Sequence, residues 1–348
     1  MRQTVTGRRV TLQDIARETG YSVNTVSHAL RGMQDISAET SARIRAVADR
    51  MGYAPNQIAS SLRSGRTRVI AVILGSMSNP FYGIMTDTIQ DAAQEADYNL
   101  MIMCSRDDAE LERQLAEQAI ARRVDGILLF PTADSTPTID RLKAAGVPVV
   151  LMSRYIVPGQ ADSVVCDEET GAYLATRHLI EAGRRRLAYV SASTVVFSSA
   201  QRVQGFLRAC AEAGIPEDQR RVYIESDRPA AQLGKGEGER LITADVLMDL
   251  KRDGFDGLFI FCDVQAWHAM NAMQKHGGFR REDFGIVSFD NIEGALSFPI
   301  PLCSVNCDYA RMAHEGIELL RARIHADPRP PQTVVVPVDL VCRGSCNR

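Results

Sequence analysis

The first fifty residues carry apolar side chains at helical spacing, in short runs separated by glycine and polar residues. Thr11 can cap a helix with its hydroxyl, and Gly20 can end it. The apolar positions between them are Leu12, Ile15 and Ala16. This spacing is typical of an amphipathic helix with a capped start and a glycine stop. The pattern therefore predicts a short first helix between residues 11 and 20.

Two more helices are predicted after short breaks, one capped by Ser22 and one that begins at Ser37 and ends at Gly52. In the second helix, the residues that turn toward a core are Val26, Ala29 and Leu30. The residues that it leaves outside are Val23, Asn24 and His28. Two short helices around a tight turn form a helix-turn-helix, whose second helix is shaped for the DNA major groove.

From Arg68 onward the pattern changes to apolar strands that alternate with helices. Continuous runs such as VIAVIL, NLMIMC and GLFIFC are typical of strands in a parallel sheet that is covered on both faces. Helical segments follow at 109–122, 200–213 and near 264–276. Two successive groups of strand–helix repeats predict two open parallel-sheet subdomains, with a ligand crevice at the carboxyl ends of the strands.

Charge separates the same two parts of the chain. Residues 1–68 contain eleven arginines and five carboxylates, a formal charge of +6, whereas the remainder carries −9. A basic end on an acidic body indicates a nucleic-acid contact, although a solvated charged face would give the same count. The helix-turn-helix pattern favours the nucleic-acid interpretation.

Composition and the first residues limit the class of protein. Hydrophobic residues make up 45% of the chain and charged residues 24%, as in ordinary globular proteins, and no apolar run could span a bilayer. The first ten residues are basic but lack the apolar segment of a secretory signal. We therefore expect a cytoplasmic protein without a membrane partner.

The eight cysteines are expected to be reduced in the cytoplasm. Cys303 with Cys307, and Cys342 with Cys346, have the spacing C-x3-C, which could indicate a four-thiolate metal site. Zinc ligands usually have tighter spacing on turn-rich knuckles, and Cys303 lies among apolar residues. The sequence therefore favours buried or incidental thiols, with no metal and no other cofactor.

Residues for enzymatic catalysis are not evident in the sequence. The six histidines are scattered without metal-binding spacing, and there is no nucleophile elbow, phosphate-binding loop or dinucleotide fingerprint. The string GKGEG at 234–238 lacks both the P-loop order and a preceding strand, and we interpret it as an exposed loop. We do not expect an enzyme.

The segments TLQDIARETGYSVNTVSHAL, ISAET and GYAPNQIASSLRSGRT together resemble the DNA-binding module and hinge of the LacI/GalR family of bacterial transcriptional regulators. The later segments SNPFY, VDGILLFP, GVPVVLMSR, QRVQGFLRACAEAGI and GIVSFDN resemble the periplasmic-binding-protein-like body of that family. The resemblance implies an all-α helix-turn-helix module joined by a hinge to an α/β body of two open parallel-sheet subdomains. The implied boundaries are 1–55 for the module, 56–67 for the hinge helix or linker, 68–167 plus 297–326 for the N-subdomain, and 168–296 plus 327–348 for the C-subdomain.

By the same resemblance, the base-reading residues are Val23, Asn24 and His28. Asparagine can pair with adenine, histidine can donate to guanine, and valine can touch a thymine methyl group. Contacts to the DNA backbone are implied for Thr11, Ser22, Thr25, Ser27 and Asn56. In the hinge, Ala59 and Leu62 match the residues that enter the minor groove and separate base pairs. The alternative for Ser22, Thr25 and Ser27 is that they only cap and pack the second helix. The alternative for residues 56–62 is that they form a plain linker.

The effector-binding residues that the resemblance implies are Asn79, Phe81, Tyr82, Ser153, Arg154, Arg202, Asp263 and Asp290. Arginine and aspartate can hydrogen-bond hydroxyls, and an aromatic side chain offers a flat apolar wall, as in sugar recognition. Alternatively, Phe81 only shapes its loop, Arg202 pairs with a nearby carboxylate, and Asp290 caps the following helix. Departures from the family pattern at Cys262 and Trp267 leave the identity of the effector open.

Taken together, these features predict a homodimeric transcriptional regulator, a repressor under the control of a small-molecule effector, most consistent with a sugar or sugar derivative. Its expected partners are a near-palindromic double-stranded operator, the carbohydrate effector and a second copy of the chain. The alternative is a stand-alone sugar-binding protein, for which residues 68–348 would suffice. That alternative needs a secretory signal and leaves the helix-turn-helix without a role.

Overall fold

The computed structural model describes residues 10–54, 65–191, 197–224, 242–273, 280, 282, 284–292, 294, 297 and 300–347. The chain divides into two units, Met1–Thr67 and Arg68–Arg348. Within the described ranges, no helix has both the length and the apolar character that crossing a membrane requires. The predicted hinge residues Asn56, Ala59 and Leu62 lie outside the described residues, as does the GKGEG string.

The described part of the first unit contains the helices α1 (Leu12–Thr19), α2 (Val23–Leu30) and α3 (Ala38–Met51). Hydroxyl side chains cap all three helices, because Thr11, Ser22 and Ser37 each accept a hydrogen bond from the backbone N–H three residues later. Gly20 ends α1 with a φ of +77°, a left-handed conformation that glycine adopts without steric cost. The predicted helix starts and the glycine stop are confirmed.

The three helices enclose a small apolar core. Its buried members are Ile15, Val26, Ala29, Ile44 and Ala48. They come from all three helices at the predicted spacing, and Leu30 lies half-buried at the edge of this core. This core holds the three helices in one arrangement, and the side of α2 that faces away from it remains exposed to solvent.

The second unit begins with strands and helices that alternate as far as its fourth strand, after which the fifth strand follows without a helix between them. Its first elements are β1 (Val69–Leu74), α4 (Pro80–Glu95), β2 (Asn99–Cys104), α5 (Ala109–Ala121), β3 (Gly126–Leu129), α6 (Thr136–Ala144), β4 (Val149–Met152) and β5 (Asp162–Cys166). The strands β1, β3, β4 and β5 are buried along most of their length, as their apolar sequences predict.

The chain then builds the second subdomain and returns to the first. These elements are α7 (Glu168–Glu181), β6 (Leu187–Ser191), α8 (Phe197–Glu212), β7 (Arg220–Ile224), α9 (Ala244–Arg252), β8 (Gly257–Ile260), α10 (Asp263–Ala272), β9 (Gly285–Phe289), β10 (Cys303–Cys307), α11 (Tyr309–Ile324), β11 (Thr333–Val336) and β12 (Val338–Val341). Helices α7 and α8 pack closely at Gly205, where a Cβ atom would lie 2.1 Å from the carbonyl oxygen of Glu169.

The described strands form two sheets, each of six strands. The first has the order β11-β5-β4-β3-β1-β2 and is parallel throughout. The second has the order β12-β10-β9-β8-β6-β7, in which only β12 is antiparallel to its neighbour. The predicted α/β body of two parallel-sheet subdomains is confirmed.

The segments assigned to each subdomain differ from the prediction near the carboxyl end of the chain. Residues 297–326 were expected in the N-subdomain, but β10 pairs with β9 in the second sheet. Residues 327–348 were expected in the C-subdomain, but β11 pairs with β5 in the first sheet. The chain therefore crosses between the sheets as many times as predicted, but the last two crossings come about ten residues later, after β10 and after β11. Sheet membership depends on distant strand partners that local sequence does not specify. Pro337, which has no N–H to donate, separates β11 from β12 at one of these crossings.

Candidate nucleic-acid interface and effector cleft

The first turn of α2 faces outward. Ser22, Val23 and Asn24 are exposed, and Val23 keeps 42% of its surface accessible although its side chain is apolar. The Ser22 hydroxyl accepts a hydrogen bond from the Thr25 N–H at 3.1 Å, which fixes the start of the helix. The N-terminus of a helix also carries partial positive charge that favours phosphate. This turn therefore presents an apolar group, an amide and a hydroxyl on a surface suited to DNA.

Three of the residues predicted to contact the DNA backbone are engaged within the module. Thr11 donates through both its backbone N–H and its hydroxyl to Asp14 Oδ2, at 3.0 and 2.7 Å. The Thr25 hydroxyl lies 2.9 Å from that of Ser22. Ser27 is buried against the module core, so the structure gives it a packing role rather than an exposed one. Helical geometry explains this, because Ser27 shares the inward face with its neighbour Val26 at the contact with the other helices.

His28 has a partner that the sequence did not indicate. Its Nδ1 atom lies 2.6 Å from Oδ2 of Asp35, in the loop between α2 and α3. A carboxylate can only accept, so Nδ1 donates, and Nε2 of the neutral ring is then an acceptor. The neutral imidazole would thus pair with a donor on a base edge, whereas the predicted donation to guanine requires the charged ring.

The arginines of α3 make contacts within the module. Arg50 pairs with Glu18 of α1 at 2.9 Å, and Arg45 lies 3.4 Å from the carbonyl oxygen of Ala29. Arg43 lies over the Tyr21 ring, 5.9 Å from its centroid. These side chains hold the three helices together at the surface of the module.

One wall of the predicted effector cleft is formed at the start of α4. Asn79 caps this helix by accepting a hydrogen bond from the Phe81 N–H at 3.0 Å. The cap directs Phe81 and Tyr82 into an aromatic cluster with Phe130 and Tyr309, with ring centroids 5.1 to 6.3 Å apart and edge-to-face contacts. Asn79 therefore serves the local structure through its side-chain oxygen, and the aromatic rings form the apolar surface.

Ser153 and Arg154 follow β4 at the carboxyl edge of the same sheet. Arg154 Nη2 donates to the Tyr82 hydroxyl at 3.2 Å. Ser153 has a φ of +65°, which is unusual for a residue with a side chain and turns the backbone sharply after the strand. Gly75 lies beneath the same hydroxyl, because a Cβ atom there would be 2.7 Å from it. The Tyr82 hydroxyl is thus surrounded by polar and backbone groups.

The opposite wall belongs to the second sheet and centres on Arg202 of α8. Its Nε donates to Glu168 Oε2 at 2.7 Å, and its Nη1 donates to the Phe261 carbonyl oxygen. Its guanidinium lies 3.7 Å from the centroid of the Phe289 ring and 4.4 Å from that of Phe261. The exposed fractions of the Arg202 and Glu168 side chains are only 6% and 5%. In this structure Arg202 pairs with a neighbouring carboxylate, which was the alternative interpretation of this residue.

Asp290 lies beside this pair, with its Oδ1 atom 3.9 Å from Arg202 Nη2. Burial raises the pKa of the Asp290 carboxyl well above its ordinary value, although the charge of Arg202 opposes this rise. Its φ of +103° is strained for a residue other than glycine. Burial would by itself lower the pKa of Arg202, but Glu168 and Asp290 outweigh it and raise this pKa. These residues form a buried charged group at the carboxyl edge of the second sheet.

Asp263, predicted to bind the effector, lies in the protein interior instead. Its Oδ1 accepts from the hydroxyls of Ser288 and Ser304, and its Oδ2 accepts from the Ile292 N–H at 2.8 Å. Burial raises the pKa of Asp263 to about 6, although these hydrogen bonds oppose the rise. The carboxyl group therefore anchors the loop after β9, and we correct its predicted role to a structural one.

Tyr309 connects the two walls. Its hydroxyl donates to the Asp290 carbonyl oxygen at 2.5 Å, and its ring lies 5.7 Å from that of Phe81. A continuous series of contacts thus runs from Arg154 through the aromatic cluster to Asp290. The sequence reasoning missed the residues Glu168, Phe261, Phe289 and Tyr309. Phe261 directly follows β8, Phe289 is the last residue of β9, and Tyr309 comes two residues after β10. These positions could have indicated the carboxyl edge of a sheet.

A separate group of side chains could hold a metal ion. His178, Cys303, Cys342 and Cys346 have their ligand atoms within 4.8 Å of one another. Cys303 and Cys346 lie near the amino ends of β10 and β9, so this group is at the opposite edge of the second sheet from the cleft.

Three family models match the chain. "Bacterial regulatory proteins, lacI family" matches residues 11–56, which contain α1, α2 and α3. "Periplasmic binding proteins and sugar binding domain of LacI family" matches residues 67–233, and "Periplasmic binding protein-like domain" matches residues 176–346. The chain belongs to the LacI family. It is therefore a DNA-binding transcriptional regulator, as its helix-turn-helix and two-sheet body indicate.

Relatives of this LacI-family chain align along most of its length. The HTH-type transcriptional regulator DegA of Bacillus subtilis (strain 168) is 29% identical over 341 residues, 97% of this chain and 98% of DegA. The HTH-type transcriptional repressor PurR of Vibrio atlanticus (strain LGP32) is 29% identical over 316 residues, 90% of this chain and 92% of PurR. These relatives are transcriptional regulators and not enzymes, in agreement with the prediction.

Solved structures of LacI-family proteins are also similar to this chain. A lac repressor dimer bound to operator and the anti-inducer ONPF has a TM-score of 0.79 at 21% identity, with 98% of this chain and all of that chain covered. A complex of the transcriptional regulator CelR with cellobiose has a TM-score of 0.66 at 25% identity, covering 97% of this chain and all of that one. The first similarity shows the fold alone.

Proposed function

We propose that this LacI-family regulator is a homodimeric repressor whose affinity for a near-palindromic operator is controlled by a small-molecule effector. The outward first turn of α2 is the observation that carries the DNA-binding part of this proposal. Exposed Val23 and Asn24 stand at the helix start, on a rigid module of net positive charge. A regulator of bacterial chromosomal operators works in the cytoplasm.

The proposed base contacts are those of Val23, Asn24 and His28. Ser22 and the N-terminus of α2 are suited to phosphate, and we retain Thr11 and Thr25 as supporting positions whose backbone N–H groups or hydroxyls lie beside the helix starts. Such contacts orient the module without reading sequence. Asn56, Ala59 and Leu62 remain proposed hinge contacts on the strength of the family resemblance.

A sugar or sugar derivative is the proposed effector class. The cleft combines aromatic surface, from Phe81 and the rings around it, with the hydroxyl and guanidinium of Tyr82 and Arg154. Across from them, Asp290 and Arg202 are 3.9 Å apart, so a ligand hydroxyl could bond to both after a small movement. The CelR–cellobiose complex supports this class, whereas the name of the PurR relatives makes purines the comparison ligands for the test.

The proposed dimer surface lies on the helices of the first sheet. Helices α4 and α11 pack side by side, so one partner could cover both. Two-fold symmetry would then present two equivalent copies of α2 to the two halves of an operator. The effector would act by favouring one arrangement of the subdomains over another, which requires different affinities for the two arrangements.

Selection of bound sequences from a random duplex library by the purified protein tests this function. We expect enrichment of a near-palindrome, and a change in enrichment when one sugar from a panel is added, with purine bases as the comparison ligands. If none of the sugars abolishes the enrichment but a purine does, the operator-binding function would stand and the proposed effector class would be wrong. Failure to enrich any sequence under all these conditions would contradict the operator-binding function.

Asn24→Ala tests the recognition helix directly. Because a bidentate side-chain contact contributes about 1–3 kcal/mol of discrimination between bases, we expect the preference at one position of each half-site to weaken by that amount. Asn99→Ala makes the same chemical change at an exposed position of the body and should leave the preference unaltered. An unchanged base preference in Asn24→Ala would remove this residue from the readout.

A further inference from the structure

The carboxyl-terminal segment brings cysteine side chains together near a histidine of α7. Cys303 Sγ lies 3.6 Å from Cys346 Sγ and 3.8 Å from Cys342 Sγ. His178 Nε2 lies 2.9 Å from Cys346 Sγ. Cys303 and Cys346 are buried, His178 is half-buried, and Cys342 is exposed. Three sulfur atoms and one imidazole nitrogen thus face a common centre at the protein surface.

The spacing of these atoms fits a tetrahedral zinc site. With zinc–sulfur bonds of about 2.3 Å, tetrahedral geometry separates the ligand sulfurs by about 3.8 Å. The distances from Cys303 Sγ to Cys342 Sγ and Cys346 Sγ, 3.8 and 3.6 Å, agree with that value. A zinc-bound nitrogen would lie about 3.6 Å from each sulfur, so the His178 ring would need to move outward from Cys346 by less than 1 Å. Rotation of a half-buried side chain supplies such a movement.

The backbone explains why these cysteines meet while Cys307 does not join them. Cys303 and Cys307 stand at opposite ends of β10, and four residues of extended strand span about 13 Å. Cys342 and Cys346 have the same sequence spacing, but a turn with Gly344 at a φ of +89° folds that segment back. The Arg343 N–H donates to Cys303 Sγ at 3.2 Å within this turn. The same spacing therefore gives a chelating pair in one place and a separated pair in the other.

Further hydrogen bonds hold the cysteines in position. The Cys303 N–H donates to Ser345 Oγ at 2.7 Å, and that hydroxyl donates to the Ile286 carbonyl oxygen at 2.6 Å. The buried Arg184 side chain donates through Nε to the Cys346 carbonyl oxygen at 3.2 Å. Supporting bonds of this kind orient ligands before a metal binds. The positive charge of Arg184 would also offset the net negative charge of three thiolates around a divalent ion.

We propose that His178, Cys303, Cys342 and Cys346 bind one zinc ion in a structural site that fastens the carboxyl-terminal turn to α7 and β10. On binding, the three thiols release their protons to solvent and the neutral imidazole coordinates through Nε2. All four positions of the tetrahedron are then occupied by protein, as in structural rather than catalytic zinc sites. The site revises the expectation that these cysteines are incidental, and it uses a histidine that the cysteine spacing alone could not reveal.

The first test measures metal in the full chain, purified under reducing conditions without a polyhistidine tag. We expect about one zinc per chain, since a site with four protein ligands retains its ion through purification. Cys342→Ser should lower the zinc content at least about tenfold, because the loss of even a residue that supports a ligand costs about 10–100-fold in metal affinity. We expect this variant to leave the fold largely intact, because the residue is exposed. Cys104→Ser, a half-buried cysteine in β2 of the other subdomain, is the matched control and should retain full zinc content.

Cobalt substitution supplies a second readout that does not depend on zinc content. Co²⁺ in place of zinc should show sulfur-to-metal charge-transfer absorption and the visible bands of a tetrahedral centre. His178→Ala should weaken the visible bands and shift them, because a water molecule would replace one ligand. Spectra that are identical in wild type and in His178→Ala would exclude the histidine from the site.

Two results would overturn the proposal. One is a wild-type chain that contains no zinc after incubation with zinc sulfate and dialysis. The other is equal zinc content in wild type and Cys342→Ser, which would locate the metal elsewhere. If the wild type contains no zinc, its intact mass should then be measured. A mass lower by two hydrogen atoms would indicate a disulfide between Cys303 and Cys346 and would identify the group as a thiol pair instead.

Discussion

The DNA-reading module and the effector cleft place their polar side chains in opposite ways. In the module, the first turn of α2 is exposed, and neighbouring residues on one short helix supply its groups. In the cleft, Arg202 and Glu168 are almost completely buried and come from two helices, while Asp290 follows a strand much later in the chain. The module thus presents its recognition groups to solvent, whereas the cleft satisfies its charges internally.

This difference has a physical origin in what each region would bind. DNA presents fixed base edges and phosphates over a wide surface, so the protein needs groups that already point outward. A small ligand must be enclosed, so its polar contacts lie where an unpaired charge would be costly. Pairing Arg202 with Glu168 avoids that cost, and an effector would have to compete with or join this pairing.

The largest effect is expected from Arg202→Ala, which would break the internally paired group. Removing one partner of a buried ion pair leaves Glu168 without its cation, and such changes cost about 3–5 kcal/mol. We expect the unfolding free energy of the body to fall by that amount in urea titrations that monitor the body. The double variant Arg202→Met with Glu168→Gln removes both charges and should recover much of the loss.

Arg208→Ala is the matched control for this comparison. Arg208 pairs with Glu169 across the same two helices, but their side chains are 44% and 37% exposed. Exposed pairs contribute about 0–1 kcal/mol, so this variant should change stability little. Equal losses in Arg202→Ala and Arg208→Ala would contradict the view that burial distinguishes the cleft pair.

A pH-dependent effect is expected from Asp263→Asn. Burial raises the pKa of Asp263 to about 6, above its ordinary value. A carboxyl whose pKa is higher in the folded state stabilises the fold below pH of about 4, and this contribution is lost as the pH rises through about 6. The wild type should therefore lose up to about 3 kcal/mol from this group between those values, and Asp263→Asn should not.

The measurement compares the unfolding free energies of wild type and Asp263→Asn at several pH values, with Asp218→Asn as the same exchange at an exposed position away from the cleft and the proposed dimer surface. The asparagine oxygen can accept from the Ile292 N–H, and its amide can donate to the two serine hydroxyls, so the loop can keep its hydrogen bonds. A constant difference between wild type and Asp263→Asn across this range would show that folding does not raise the pKa of Asp263.

The same contrast explains which features the sequence could predict. Caps at Thr11 and Ser22 and the stop at Gly20 depend on residues within one turn, so local patterns specify them. The strands β1 and β2 were predicted with the bounds that the structure shows, because each is a continuous apolar run after a polar boundary. The helices of the module and these two strands could therefore be predicted from local sequence, whereas the contact of His28 with Asp35 could not.

Contacts between distant segments could not be predicted from the sequence. Asp263 follows an apolar strand and was assigned to the cleft, but the serines that bury it lie 25 and 41 residues later. The assignment of β10 and β11 to their sheets depends on partners that are equally distant in sequence. His178 and the cysteines meet through a turn near the carboxyl end. Local periodicity carries no information on such contacts, which is why the cleft and the cysteine group needed the structure.

The smallest effect is expected from Asp35→Asn, which removes the charge of the one carboxylate that contacts His28 in the described part of the module. The exposed fractions of the His28 and Asp35 side chains are 29% and 54%, so their pairing should contribute about 0–1 kcal/mol to stability. Its larger consequence is for recognition, because Asp35 holds a proton on Nδ1 and leaves Nε2 of the neutral ring as an acceptor. An asparagine can accept or donate, so it no longer selects one tautomer of His28.

For Asp35→Asn we therefore expect little change in module stability but a weaker preference at the base that His28 reads. Competition between half-site sequences measures this preference. A loss of stability comparable to that of Arg202→Ala would show that the module also depends on internal pairing, and the contrast between the two regions would fail.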